Sequence, residues 1–534
     1  MKGSQHRFSQ VPMNRAPRSS FKRPSGHHTT FDANYLIPIY CDEIVPGDTF
    51  RMTNTTFARL ATPIKPSMDN MYIDIHFFFV PNRLVWDNWE RFMGAQDNPE
   101  DSTDFLVPTI DPIIPNVADH TNSIFDYFGI PHIASGSCPV SSLQFRAYNL
   151  IWNEWYRDQN LQDSVTVETG DADDIANYGL LKRGKRHDYF TSALPFPQKG
   201  DPVSLSLSGD ATVDITGDIG NPTFRQGAIT DAPLYVTGDT DPELPNLGDV
   251  RFAKGDLLAT ELTALSWDNP ALLGVANLDS VTAVTINQLR QAFQLQRFLE
   301  RDARSGTRYI EVIKAHFGVT NPDFRLQRPE YLGGSHENIN FTTIAQTTAT
   351  LADSTPQGNL AAMGTITGHN RAFRKSFTEH GFIIGIASVY ADQTYQQGIE
   401  RQWFRQTRVD YYWPTFAHLG EQEIYNKEIF ATGDTEQDNL VFGYQERYAE
   451  YRYKPNRISG LFRSTVPTSL DVWHYAEEFE NLPVLNSEFI ECSSPIKRNS
   501  AVISEPDFIA DFYFGNEADR PMPMYGTPGF VDHF

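Results

Sequence analysis

The stretch MYIDIHFFFV, from Met71 to Val80, constrains the fold of this chain more than any other. Apolar Met71, Ile73, Ile75 and Phe77 alternate with Tyr72, Asp74 and His76. A period of two marks a strand with one face in a core. At Phe78-Phe79-Val80 the alternation stops and both faces turn apolar. After a Pro81-Asn82 break, Trp86, Trp89 and Phe92-Met93 recur at helical spacing, and Gly94 ends the pattern. A buried strand therefore runs straight into an aromatic helix.

Other segments extend this picture. Tyr35 to Tyr40 reads as an edge strand, because Pro38 supplies no ladder donor. EIVPGDT, Glu43 to Thr49, is turn chemistry, and Phe50 opens another extended piece. Ser142 to Arg157 has helical periodicity, with a Ser141/Gln144 capping-box pattern. Thr285 to Arg304 has the same features with Thr285/Gln288, and a second helix ends at Gly318. Near the end, GFIIGIASVY reads as a buried strand, while FRQTRVDYYWP, ERYAEYRYKP and DFIADFYF each alternate. Strands early and late, with helices and loops between, predict one mainly antiparallel β domain with long insertions. The 34 prolines and 35 glycines agree with a turn-rich chain. No fixed-period repeat is present.

Charge is distributed unevenly. The formal net charge is −23, which argues against a simple nucleic-acid binder. Residues 1–30 form a basic arm that carries Lys2, Arg7, Arg15, Arg18, Lys22 and Arg23 and no acid. Such a composition orders only against something else. Residues 200–285 are the opposite: from Asp201 to Thr285 thirteen acids face three bases. This turn-rich block reads as a β-rich surface excursion. The three cysteines, Cys41, Cys138 and Cys492, have no metal-ligand spacing and read as free thiols. The N-terminus has no apolar signal core, and no run is long enough to insert in a membrane.

Enzyme signatures are missing: no GxSxG, Walker loop, HExxH or strand-following GxGxxG occurs. Neither a catalytic residue nor a cofactor is assigned. Asp74 with His76, and His27-His28, have ligand chemistry, but a polar strand face is the simpler reading of the first pair and a solvated tail of the second. The glycosylation triplets at Asn54 and Asn340 are discounted without a secretion signal. Basic clusters are more informative. The arm, Lys182-Arg183-Gly184-Lys185-Arg186, HNRAFRKSF (His369 to Phe377) and YRYKPNRISGLFR (Tyr451 to Arg463) carry Arg or Lys, mostly interleaved with Phe or Tyr. That mixture can hold phosphates by charge while rings stack on bases. For any one internal cluster, salt-bridged strand faces are the commoner origin.

TTFDANYLIPIYCDEIVPGDTF, IHFFFVPNRLVWDNWERFMG, RYIEVIKAHFGV, GYQERYAEYRYKPNRISGLFR and the C-terminal RPMPMYGTPGF together resemble the major capsid protein of the gokushoviruses, small single-stranded DNA phages of the microvirus family. The resemblance implies an eight-stranded antiparallel jelly roll of the viral capsid type with long helical and loop insertions. It implies a homo-oligomer, a sixty-copy T=1 icosahedral shell around circular ssDNA, assembled in bacterial cytoplasm and found in the virion. It also implies a separate small basic DNA-packaging protein, and an insertion that projects at the threefold axes toward a host surface receptor. The acidic block at 200–285 stands where that insertion belongs. On this reading Arg7, Arg15, Arg18, Lys22, Arg23, Lys182, Arg183, Lys185 and Arg186 are the DNA-facing candidates. Trp86, Trp89 and Phe92 are the candidates for packing between insertions or subunits. The rival reading from another class is a jelly-roll carbohydrate-binding or glycan-cleaving protein.

Overall fold

Met71–Pro81 is a strand, as its alternation demands, and it lies inside a four-stranded sheet rather than at its edge. The computed structural model describes residues 17–201, 203, 286–305, 309–318, 327–350 and 355–525, together with six short strands between residues 212 and 277. The chain divides into two compact units, one of Met1–Lys199 with Glu300–Phe534 and one of Gly200–Leu299.

Ten strands form the two large sheets of the first unit. They are β1 (Ser19–Lys22), β2 (Ser25–Phe31), β3 (Ile37–Ile44), β4 (Thr49–Leu60), β5 (Met71–Pro81), β6 (Glu330–Asn338), β7 (Asn340–Ala345), β8 (Leu360–Ser376), β9 (Gly381–Ala391) and β10 (Phe508–Arg520). One sheet has the order β1–β10–β4–β8–β7, with β2 also on β10, and the other has the order β6–β5–β9–β3. Every pairing is antiparallel. The chain changes sheet at β2 to β3, β3 to β4, β4 to β5, β6 to β7, β8 to β9 and β9 to β10. Alternation of this kind between two facing sheets is a jelly-roll path. The sheets hold six and four strands. Two connections are very long: residues 82–329 join β5 to β6, and residues 392–507 join β9 to β10.

Aromatic rings fill the space between the sheets. Phe77 on β5 meets Phe373 on β8 and Phe514 on β10, with centroids 5.6 and 6.2 Å apart. Tyr40 on β3 lies 4.9 Å from Phe514. The other face of the four-stranded sheet is also covered. Phe78, Val80, Ile384 and Ile386 pack there with Trp86 and with the helix α1 (Leu143–Ile151). This second layer is why Phe77 to Val80 is apolar on both faces and why all eleven residues of β9 are buried.

Several local expectations change. The second half of the basic arm orders against the chain itself: β1 and β2 run in register along β10 from Ser19↔Arg520 to Phe31↔Phe508. Pro24, which has no backbone N–H, interrupts them. Helix α1 is capped by Ser142, whose side chain makes no cap bond, so the Ser141/Gln144 box is not formed. It continues as one π-helical turn, Trp152–Tyr156. Thr285 lies outside the described residues, and helices Ile286–Ser305 and Tyr309–Phe317 follow it. FRQTRVDYYWP and ERYAEYRYKP are not strands. Short 3-10 turns at Arg408–Asp410, Pro414–Phe416 and Ala449–Tyr451 occupy them. Asp410 accepts from the amides of Gln406 and Thr407, a turn device that outweighs aromatic alternation.

Among the described residues the second unit holds three nested antiparallel pairs: Thr212–Thr216 with Leu273–Asn277, Phe224–Arg225 with Ser266–Trp267, and Tyr235–Val236 with Phe252–Ala253.

Candidate assembly and nucleic-acid surfaces

The aromatic corner after β5 is one helical turn, Trp89–Phe92, preceded by a 3-10 turn at Asn82–Leu84. Trp86 lies between these turns and is fully buried, and its indole donates to Asp171 at 2.7 Å. The rings of Trp89 and Phe92 lie 6.1 and 5.3 Å from that of Trp86 and remain half-buried at the rim. Beneath them Arg146 of α1 pairs with Asp173 at 2.7 Å, both side chains wholly buried. Arg146 also donates to the carbonyls of Val85 and Gly170 at 3.0 and 2.9 Å. Trp86 therefore joins insertion segments of its own chain.

The run from Lys182 to Arg186 is threaded between two other segments. Its backbone bonds to Asn34 on one side and to Ile490 and Cys492 on the other. This threading turns its cations toward internal partners. Arg183 pairs with Asp74 at 2.5 Å and stacks over the Tyr390 ring. Lys185 is buried against Glu477 at 2.8 Å, and Lys182 pairs with Glu491 at 3.2 Å. Arg186 is exposed, with its guanidinium 5.9 Å from the centres of both the Tyr72 and Tyr390 rings. Asp74 also bonds His336 at 2.6 Å. Burial alone would raise the Asp74 carboxyl, but Arg183 and His336 hold it below its ordinary range. His76 bonds the Tyr156 hydroxyl at 2.8 Å, and burial pushes its imidazole down to about 4. Asp74 and His76 thus have separate partners. Among the described residues no group of three or more His, Cys, Asp or Glu is placed to hold a metal.

In the arm, Arg23 forks onto Asp42 at 2.6 and 3.0 Å, and Arg18 donates to the Asp519 carbonyl at 3.2 Å. Lys22 is exposed on β1. Arg7 and Arg15 lie outside the described residues.

Two further surfaces stand out, the second built partly from the basic cluster Tyr451 to Arg463. On the six-stranded sheet, Phe57, Ile509 and Tyr513 point away from the core, and each is at least half exposed. The other is a cleft of about 690 Å³ in the connection from β9 to β10. Residues 398–405 form one wall and residues 450–458 another. Periodicity could not reveal it, because Trp403, Arg405 and Tyr451 come together only through tertiary folding. Among the described residues no helix is long and apolar enough to cross a membrane.

Comparison with known proteins covers nearly the whole chain. Residues 9–530 match the family described as Capsid protein (F protein). Capsid protein VP1 of Bdellovibrio phage phiMH2K is 48% identical over 99% of both chains. Capsid protein VP1 of Chlamydia phage 1 is 43% identical over 98% of this chain and 97% of its own. That of Spiroplasma virus 4 is 37% identical, with the same coverage. The match takes in both sheets and both long connections, so the role is structural rather than enzymatic and the chain's place is in the virion. The chain belongs to the capsid protein (F protein) family of the microviruses, whose members build oligomeric shells.

Proposed function

We propose that sixty copies of this chain close into a T=1 icosahedral shell around a circular single-stranded DNA genome. The observation that carries this reading is the family match over residues 9–530. The uncovered apolar face at Phe57, Ile509 and Tyr513 supports it, since a solitary subunit leaves those side chains wet. The first residues of the arm, with Arg7 and Arg15, lie inside near DNA. Of the remaining basic candidates, Arg18, Lys22 and Arg186 keep the capacity to meet phosphate, whereas Arg183 and Lys185 are committed to Asp74 and Glu477. Trp89 and Phe92 pack against the insertion beside Trp86. A subunit of charge −23 neutralises DNA poorly, so a small basic packaging protein supplies the missing cations. The acidic block at 200–285 projects outward and contacts a receptor on the bacterial surface. Assembly takes place in the host cytoplasm.

Deleting residues 2–16 is the appropriate test of the arm, because removal of residues 19–31 would also take away two strands. The expected result is particles that form but protect less circular single-stranded DNA from nuclease. Unchanged genome content would remove the arm from the interior.

A further inference from the structure

The cleft at residues 398–405 and 450–458 carries a charge opposite to that of the chain. Six cationic side chains line it against three carboxylates, in a protein of net charge −23. The three carboxylates, Glu400, Glu428 and Glu450, are already occupied. Glu428 is held by Arg401 at 3.0 Å and Glu450 by Arg405 at 2.8 Å. Glu400 is shared between Lys454, at 2.8 Å, and Arg457. One carboxylate thus serves two exposed cations, Arg452 pairs with Glu446, and Arg463 adds a further cation, which donates to the Gln396 carbonyl at 3.1 Å. Around these cations stand exposed rings: Trp403 is 71% exposed and Tyr451 is 51% exposed. Arg405 lies 4.3 Å from the centre of the Tyr451 ring, which holds that ring in place. Tyr451-Arg452-Tyr453-Lys454 alternates ring and cation along one exposed segment.

We propose that this cleft binds single-stranded nucleic acid, with bases stacked on Trp403 and Tyr451 and phosphates held by Lys454 and Arg457. An apolar partner would leave Lys454 and Arg457 sharing a single carboxylate, and an acidic peptide would leave the exposed rings uncovered. Unpaired nucleotides satisfy both, because every base has a flat face and every linkage a negative charge. The volume lies within the range of about 300–1,000 Å³ usual for a ligand site. The inference rests on the proposed genome-enclosing shell only for which nucleic acid the cleft meets.

Full-length, unassembled subunit titrated with fluorescein-labelled oligothymidylate in an anisotropy assay tests this. Trp403→Ala should weaken binding by about tenfold, the stacking value of one base, and Trp403→Phe should restore most of it. The double change Lys454→Gln with Arg457→Gln should lower the slope of log K against log salt by about 1.4, two phosphate contacts on a single strand. All these side chains are exposed, so unchanged thermal melting of each variant serves as the folding control. Binding indifferent to both sets of substitutions would overturn the proposal, as would displacement of oligothymidylate by polyglutamate at equal charge. The result is separable from the shell itself: particles that form and package DNA while the cleft substitutions leave binding unchanged refute the cleft alone, and failure to form particles leaves the anisotropy result to decide the cleft independently.

Discussion

Phe77 of β5 and Phe514 of β10, on opposite sheets, meet edge to face with centroids 6.2 Å apart and planes at 90°. Both rings are buried, and they link two strands separated by most of the chain. Truncation to Phe77→Ala should cost about 3–5 kcal/mol in chemical denaturation of the subunit. The matched change Phe57→Ala on the exposed face of the other sheet should cost under about 1 kcal/mol. Equal costs would mean that the sandwich interior is not the stabilising core.

Arg146 and Asp173 form an ion pair whose side chains are both shielded completely from solvent. Removing one partner leaves an isolated buried charge, so Arg146→Ala should destabilise by about 3–5 kcal/mol. Adding Asp173→Asn to that variant should recover part of the loss, a coupling measurable in a double-mutant cycle. Strictly additive costs would contradict the pair's assignment.

His76 makes subunit stability depend on pH. Its folded imidazole titrates near 4 because of burial, against about 6.5 in an unfolded chain. Between those values the unfolded chain takes up a proton that the folded one refuses. Stability from this residue is therefore full above about 6.5 and falls as pH drops to about 4, by up to ~3 kcal/mol. Asp74, depressed from 3.8, loses its contribution only at lower pH still. His76→Gln should flatten the upper window when melting temperature is followed from pH 7 to 4. A wild-type slope that persists in the variant would assign the effect elsewhere.

The exposed face of the six-stranded sheet separates folding from assembly. Ile509→Asp should leave subunit melting within about 0.5 kcal/mol of the parent, since Ile509 is 62% exposed. Particle yield, read by sedimentation, should drop sharply. Normal particles from this variant would remove the face from the contact set.

Much of the jelly roll was legible because its strands obey simple rules. Met71 to Phe77 alternates, Gly381 to Tyr390 is apolar throughout, and Pro38 falls on the edge strand β3. What escaped was set by tertiary context. Residues 404–414 and 446–455 alternate because their rings stack on guanidiniums, as Tyr451 does on Arg405, while Asp410 and a left-handed Tyr448 bend the backbone into turns. The Lys182–Arg186 run looked like one basic patch, yet Asp74 and Glu477, far away in sequence, neutralise its inner members. The composition of the arm demands something to order against, and for residues 19–31 that is β10 of the same chain.

Analytical ultracentrifugation of the purified full-length chain, with negative-stain imaging of the same sample, tests the shell-subunit account most directly. The account predicts a fast-sedimenting species of a single size that appears as closed round particles. A chain that stays monomeric and fully folded as its concentration rises would contradict it.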